Sequence, residues 1–171
     1  MQAWGTKASA VHPEAQRLID ELRLRPHPEG GYFVETYRSG LRVDCDAGRR
    51  HALTSIYYLL EGVSFSAFHR IKSDEIWHHY RGAPVTVEVI DVDGELRSLS
   101  IGDGHRWQAA VRPGVWFAAH LERPEGFALV GCDVAPGFDF NDFELASGAA
   151  LLEEFPQHAA VIQRWTNAPT P

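Results

Sequence analysis

Only two cysteines are present, Cys45 and Cys132, and they stand far apart, without the short spacing of a zinc or redox motif. A cysteine-based metal centre is therefore not expected. The amino-terminal stretch Met1–Ala10 lacks the apolar core of a secretion signal, so a reducing, cytoplasmic location is the default expectation. No apolar run approaches the roughly 18 residues of a membrane span, and no membrane partner is expected. Basic residues are in deficit: 16 Lys and Arg against 23 Asp and Glu give a formal net charge of −7. That leaves no surplus to neutralise a phosphate backbone, so nucleic acid is not an expected partner. Nucleophile and phosphate signatures are missing as well, with no Gly-x-Ser-x-Gly elbow, no Gly-x-x-x-x-Gly-Lys loop and no His-Glu-x-x-His.

What is present is a chain of 171 residues, 44% hydrophobic and 11% aromatic, long enough for one sizeable core. Residues 1–171 are expected to form a single domain. Ala15, Leu18, Ile19 and Leu22 recur at helical spacing behind Pro13, which predicts one helix before the Pro26–Pro28 break. After Gly30–Gly31 the pattern changes to nine short runs rich in β-branched and aromatic residues. They are Tyr32–Tyr37, Thr54–Leu60, Phe65–Ile71, Glu75–Tyr80, Val85–Asp91, Leu96–Ile101, Trp107–Val111, Val115–Leu121 and Phe127–Val134. Asp93–Gly94 and Asp103–Gly104 read as hairpin dipeptides, and Pro113–Gly114 as a strand opener. Successive strands without intervening helices predict an all-β sandwich or barrel. Ala146–Phe155 and Gln157–Trp165 read as two tail helices split by Pro156, and Asn167–Pro171 is expected to fray.

Histidines concentrate in Phe68–Tyr80, where His69, Glu75, Trp77, His78 and His79 fall within one short stretch. Two strands joined by a tight turn would set His69 and Glu75 on neighbouring positions of one sheet face, with Trp77 and His79 following Glu75 at period two. His78 and His79 are adjacent, so a regular strand turns only one of them inward, and period two favours His79. His120 could also point inward, although a solvent-facing ring is the favoured reading.

His69, then Glu75, then Gly82 after six residues resembles the first motif of the cupin superfamily, and Pro113-Gly114 with Phe117 resembles part of the second. The strings Pro28-Glu29-Gly30-Gly31-Tyr32-Phe33-Val34-Glu35-Thr36-Tyr37-Arg38, Ser73-Asp74-Glu75-Ile76-Trp77-His78 and Ala135-Pro136-Gly137-Phe138-Asp139-Phe140 are similar to the uncharacterised cupin-five subfamily. The likeness runs over about residues 13 to 165. It points to His78 rather than His79 as the inward residue, and a bulge would reconcile the two. It implies a cupin jelly-roll, or double-stranded β-helix, barrel over about residues 30–145, flanked by short N-terminal and C-terminal helices. It also implies a homodimer and a small-molecule pocket at the barrel mouth.

Metal-binding cupins use three histidines and a glutamate, but two of those histidine positions fall here on Ile71 and Phe117. No cofactor is therefore predicted, and a divalent metal, if one binds, would rest on His69 and Glu75. The expected activity is then that of a metal-independent sugar or nucleotide-sugar isomerase or epimerase. In it His69 acts as base, Glu75 orients it, and one of Tyr32, Tyr57 or Tyr80 acts as acid. The alternatives are a non-catalytic module for a small polar metabolite and a metal-dependent oxygenase or isomerase with non-standard ligands. Further candidate ligand contacts are Trp77, His78, His79, Tyr80, Trp116, Phe117, Glu29, Tyr32 and Asp139. Trp77 and Trp116 are as readily core as stacking platforms, and Glu29, Glu35 and Arg38 either line an entrance or form an ion pair. Asp139 and Asp142 serve either a lid over the mouth or capping of the tail.

Overall fold

The computed structural model describes residues 12–166; Met1–Ala10 and Asn167–Pro171 lie outside the described residues. The chain opens with helix α1 (Pro13–Leu22), followed by the two-residue strand β1 (Arg25–Pro26) and β2 (Tyr32–Arg38). A charged hairpin of β3 (Arg42–Cys45) and β4 (Gly48–His51) leads to β5 (Thr54–Glu61), β6 (Phe65–Arg70) and β7 (Asp74–Gly82). Then come β8 (Val85–Ile90), β9 (Leu96–Ile101), β10 (Gln108–Val111), β11 (Trp116–Leu121) and β12 (Phe127–Ala135). The short β13 (Glu144–Leu145) and the helices α2 (Gly148–Glu154) and α3 (Ala159–Trp165) complete the described chain. Every one of the nine expected strands is present, within about two residues of its expected bounds. The first tail helix begins later than expected, because Ser147 caps it by accepting from the Ala150 amide at 3.5 Å.

The strands make two facing sheets, ordered β1-β2-β5-β12-β7-β10 and β13-β6-β11-β8-β9, the expected jelly-roll arrangement, without closure into a barrel. Strand neighbours in these sheets are mostly remote in sequence, and β5, β6 and β7 alternate between the two layers. β6 and β7 are accordingly not a hairpin, contrary to the expectation from their short connection. The Ile71–Ser73 link carries the chain from one layer to the other. The Asp93–Gly94 turn does join a paired hairpin, β8 and β9, whereas Asp103–Gly104 again crosses between layers.

Period-two alternation explains the layering. Inward side chains of both sheets, among them Tyr58, Leu60, Trp77, Val87, Phe117 and Val130, form the central core. The outward face of the six-stranded sheet is covered at one end by α1, whose Ala15 and Leu18 pack on Leu59, Phe127 and Leu129. The tail helices seal the outer face of the other sheet, with Leu151 and Ile162 against Phe68, Ile90 and Trp116. Each fully buried large side chain of this kind contributes roughly 1.5–3 kcal/mol. Among the described residues no helix is long and apolar enough to cross a membrane.

Candidate functional site

The core fills only one end of the space between the sheets. At the other end, where Thr54 pairs with Val134 and Val134 with Glu75, the layers part around a cavity of about 330 Å³. Its walls carry both sequence-predicted carriers, His69 from the five-stranded sheet and Glu75 from the six-stranded one. They do not share a sheet face, and they reach the same cavity from its two layers.

The roof is the turn between β1 and β2. Gly30 (φ 115°) and Gly31 (φ 66°) are both left-handed, and a Cβ on Gly31 would stand 2.8 Å from the Leu59 carbonyl. Pressed onto β5 and β6 in this way, the turn accepts a 2.8 Å bond from the Ala67 amide at the Glu29 carbonyl and a 2.7 Å bond from the Tyr58 hydroxyl at the Gly30 carbonyl. The Glu29 side chain is thereby driven inward, where it is buried.

Glu29 is the carboxylate that meets His69. Its Oε2 lies 3.2 Å from His69 Nε2, and its Oε1 accepts from Ser66 Oγ at 2.8 Å. The other ring nitrogen, His69 Nδ1, lies 2.7 Å from the Ala67 carbonyl. A carbonyl only accepts, so Nδ1 carries a proton there. A second proton must then lie between Nε2 and Oε2, since otherwise two lone pairs would face each other in a buried site. Apart from the Nδ1–H, the Nε2–Oε2 contact thus holds one shared proton, and Phe117 supports it by packing on the imidazole at 4.0 Å between centroids.

Glu75 has a different state. Burial, reinforced by the nearby charge of Glu29, pushes its pKa up to about 8, against a mild downward pull from the Cys132 thiol. At neutral pH it is a protonated acid. Cys132 beside it is itself pushed well up by burial and by Glu75, so its sulfur stays a thiol. Tyr58 is the inward tyrosine of β5, and its proton is committed to Gly30.

At the mouth Arg38 chelates Glu35, with Nε at 2.9 Å and Nη2 at 2.6 Å, and donates to the Phe138 carbonyl at 3.3 Å. The two readings of Glu35 and Arg38 therefore coincide, since the ion pair also lines the entrance; Glu29 takes no part in it. Asp139 lines the same entrance and caps a single 3-10 turn, Phe140–Asp142, by accepting from the Asn141 amide at 2.9 Å. That bond, above all, holds its pKa below the usual carboxylate range. Asp142 accepts from Arg50 Nε at 2.7 Å and Nη2 at 2.9 Å, which ties the mouth segment to the β3–β4 hairpin.

Other sequence-predicted residues lie elsewhere. Trp77 is an inward core residue that does not line the cavity, and Trp116 lies on the opposite face of its sheet, under Arg70 and the tail helices. Period two does turn His79 inward, but beyond the Trp77 layer, where its Nε2 bonds the Ala83 carbonyl at 2.9 Å. His78 faces outward and meets Asp133 at 3.0 Å. Period two places Tyr80 outward as well, on the face of His78 and over Gly131, a position where no side chain would fit beneath its hydroxyl. Tyr32 and Tyr57 pack around the α1 cluster, and His120 lies outside against Glu88 and Trp165. None of Tyr32, Tyr57 and Tyr80 lines the cavity.

Tyr58 and His27 are among the lining residues without a counterpart in the sequence candidates. Tyr58 was readable from the same alternation that turns Ile56 inward, whereas His27 carried no signal beyond its place before Pro28-Glu29. Its Nδ1 accepts from the Glu29 amide at 3.3 Å. A three-ligand metal does not fit this cavity: Ile71 and Phe117 offer no donor, and the His27 Nδ1 lone pair is already taken. Among the described residues no group of three His, Cys, Asp or Glu side chains has the spacing to hold an ion.

The layered fold with a walled cavity at one end defines a cupin, and the chain belongs to the Cupin_5 family of the cupin superfamily (DUF985), whose pattern matches residues 16–146. It is 32% identical over 169 residues to the uncharacterized protein YML079W of Saccharomyces cerevisiae, covering 86% of this chain and 83% of the yeast protein. The crystal structure of protein SO0799 from Shewanella oneidensis is similar at 40% identity and a TM-score of 0.83, over 90% of this chain and 97% of that one. Oxalate decarboxylase from Bacillus subtilis shares the fold alone, at 15% identity and a TM-score of 0.54, over 82% of this chain and 36% of the decarboxylase.

Proposed function

We propose that the chain is a proton-transfer isomerase or epimerase of a small hydroxylated carbonyl compound, a keto sugar or its nucleotide-activated form. The observation that carries this reading is the pairing of a shared-proton contact, His69 with Glu29, and a protonated acid, Glu75, around one cavity from two different sheets. Glu29, through a carboxylate lone pair not engaged by His69 or Ser66, takes the proton from the carbon beside the carbonyl, so that the contact then holds two, with His69 stabilising Glu29 rather than acting as the base. Glu75 gives its proton to the carbonyl oxygen, and an enediol results. Return of a proton to the neighbouring carbon, or to the same carbon from the other side, gives isomer or epimer and restores both carriers. With Glu29 held against β6 by His69 and Ser66, and Glu75 on the facing layer, the two suit delivery to opposite sides of a substrate lying between them.

Incubating the protein with keto sugars in heavy water, and following loss of the C–H signal beside the carbonyl by proton NMR, tests the reading. Exchange is expected with the native chain and should fall by at least about 100-fold in Glu29→Gln and Glu75→Gln, the usual worth of an acid–base group, and should fall in His69→Gln as well. A compound that raises the melting temperature yet never exchanges would instead make the chain a binding module.

A further inference from the structure

We propose that His27 is a ligand-binding residue of this cavity, a neutral imidazole that donates its Nε2–H to an acceptor-only oxygen, a carbonyl or the enolate formed from it. The identity of that oxygen rests on the proton-transfer reading; the donor itself does not.

The tautomer follows from hydrogen bonding. His27 Nδ1 accepts from the Glu29 amide, so in a neutral ring the proton sits on Nε2. Burial holds the pKa of this imidazole below the ordinary histidine value, against the pull of Glu29. Its side chain is only 7% exposed and lines the cavity, yet among the described residues no protein group accepts from Nε2. Nε2 is not sealed in protein, so its proton is available to a ligand in the cavity.

The ring is also held in place. Phe33 meets it edge-on at 4.6 Å, with Tyr58 and Phe143 edge-on at 6.1 and 6.2 Å. Pro28 restricts the His27 backbone to extended conformations, so the direction of the side chain is set before the turn closes. Two neutral donors, His27 and the protonated Glu75, therefore face one cavity, alongside the apolar Phe33, Ile56, Ile71 and Val134 and the His69–Glu29 pair. Such a site favours a ligand oxygen without a proton of its own, because that oxygen accepts from both. A cavity of about 330 Å³ is at the small end for ligand sites, which suits a reacting portion no larger than one sugar ring.

Glycolohydroxamate, a small flat mimic of an enediolate, is the probe. In the nitrogen-15-labelled native protein, long-range NMR should show His27 with a bare Nδ1 and a protonated Nε2, and saturating probe should move the Nε2 proton downfield. His27→Phe keeps the apolar box without the donor and should bind the probe about tenfold more weakly or worse, the worth of one hydrogen bond to a charged oxygen. His27→Gln, whose amide nitrogen falls near the imidazole Nε2, should restore part of that loss. An Nε2 proton unmoved at saturation, equal binding by His27→Phe, or no binding by the native chain at millimolar probe overturns the assignment. Probe binding through His27 without carbon exchange of any keto sugar defeats the proton-transfer reading and leaves His27 standing. Exchange at the native rate in His27→Phe does the reverse.

Discussion

His69 Nε2 lies 3.2 Å from Glu29 Oε2, and the two residues come from structures of different kinds, an inner strand and a glycine-stiffened turn. Glu29 also holds the Ser66 hydroxyl, so its carboxylate satisfies two buried donors at once. Removing it with Glu29→Ala should cost about 3–5 kcal/mol, because the remaining partner keeps an uncompensated buried proton. Glu29→Gln keeps an acceptor for Ser66 and should cost about 1 kcal/mol. Urea unfolding with an unchanged m-value measures both, and equal losses in the two variants would contradict the pairing.

Glu75 makes stability depend on pH with a definite sign. In the folded chain its pKa is raised to about 8 from 4.5, so between those values the folded state holds a proton that the unfolded state has released. Its contribution is complete below the unfolded value and is lost as pH rises toward 8, by an amount on the order of several kcal/mol. His27 acts the other way, since a depressed imidazole gains stability as pH rises through the ordinary histidine range. Glu75→Gln, neutral throughout, should therefore unfold at a higher urea midpoint relative to the native chain at pH 8 than at pH 5. Parallel pH profiles of the two proteins would show that Glu75 is ionised in the fold.

Alternating hydrophobicity made the nine long strands legible, and the inward set on β7, Glu75, Trp77 and His79, follows from the same period. The short strands escaped it: β3 and β4 are charged edge segments, and β1 and β13 are two residues each. Jelly-roll crossing was also invisible, because the three-residue Ile71–Ser73 link has the length of a hairpin turn yet changes layers. This is why Glu75 looked like the partner of His69, while the real partner is remote in sequence and reaches it only through the roof turn. The same period places Tyr80 outward with His78, so its removal from the cavity was legible.

The roof turn itself can be tested. Gly30 has φ 115° with its missing Cβ directed at the Phe65 carbonyl, whereas Gly40 has open space around it. Gly30→Ala should lose about 3 kcal/mol or more, combining backbone strain with steric displacement of the turn. Gly40→Ala should stay within about 0.5 kcal/mol of the native chain. Thermal melts of the pair provide the comparison, and a tolerated Gly30→Ala would mean that Glu29 is not held by this turn.

Donor chemistry sets an expectation for metal removal. With Ile71 and Phe117 in place of nitrogen ligands, the described residues bring no three-ligand cluster together for a structural divalent ion. Dialysis against a chelator should leave the melting temperature unchanged, and adding zinc or manganese should not raise it. A metal-dependent rise of several degrees would require ligands that the present geometry does not bring together.

The mouth is fastened by a buried ion pair. Asp142 has a 5% exposed side chain and takes both Nε and Nη2 of Arg50, whose own side chain is 16% exposed, while Lys72 stands 3.8 Å away. Little water screens this contact, so breaking it leaves a charge poorly compensated. Asp142→Ala should lower stability and should speed hydrogen exchange at the amides of Asp142 and Phe143, which bond back to Asp139 and Phe140 within the same turn. The His69 ring signals should shift only as far as the Phe143 ring, 5.4 Å away, moves, and the Nε2 and Nδ1 bonds should persist, because their partners Glu29 and Ala67 belong to the roof turn and an inner strand. Loss of both signatures together would mean that the mouth segment and the proton carriers form one cooperative unit; separate loss identifies the segment as the part of the fold that opens to admit a ligand.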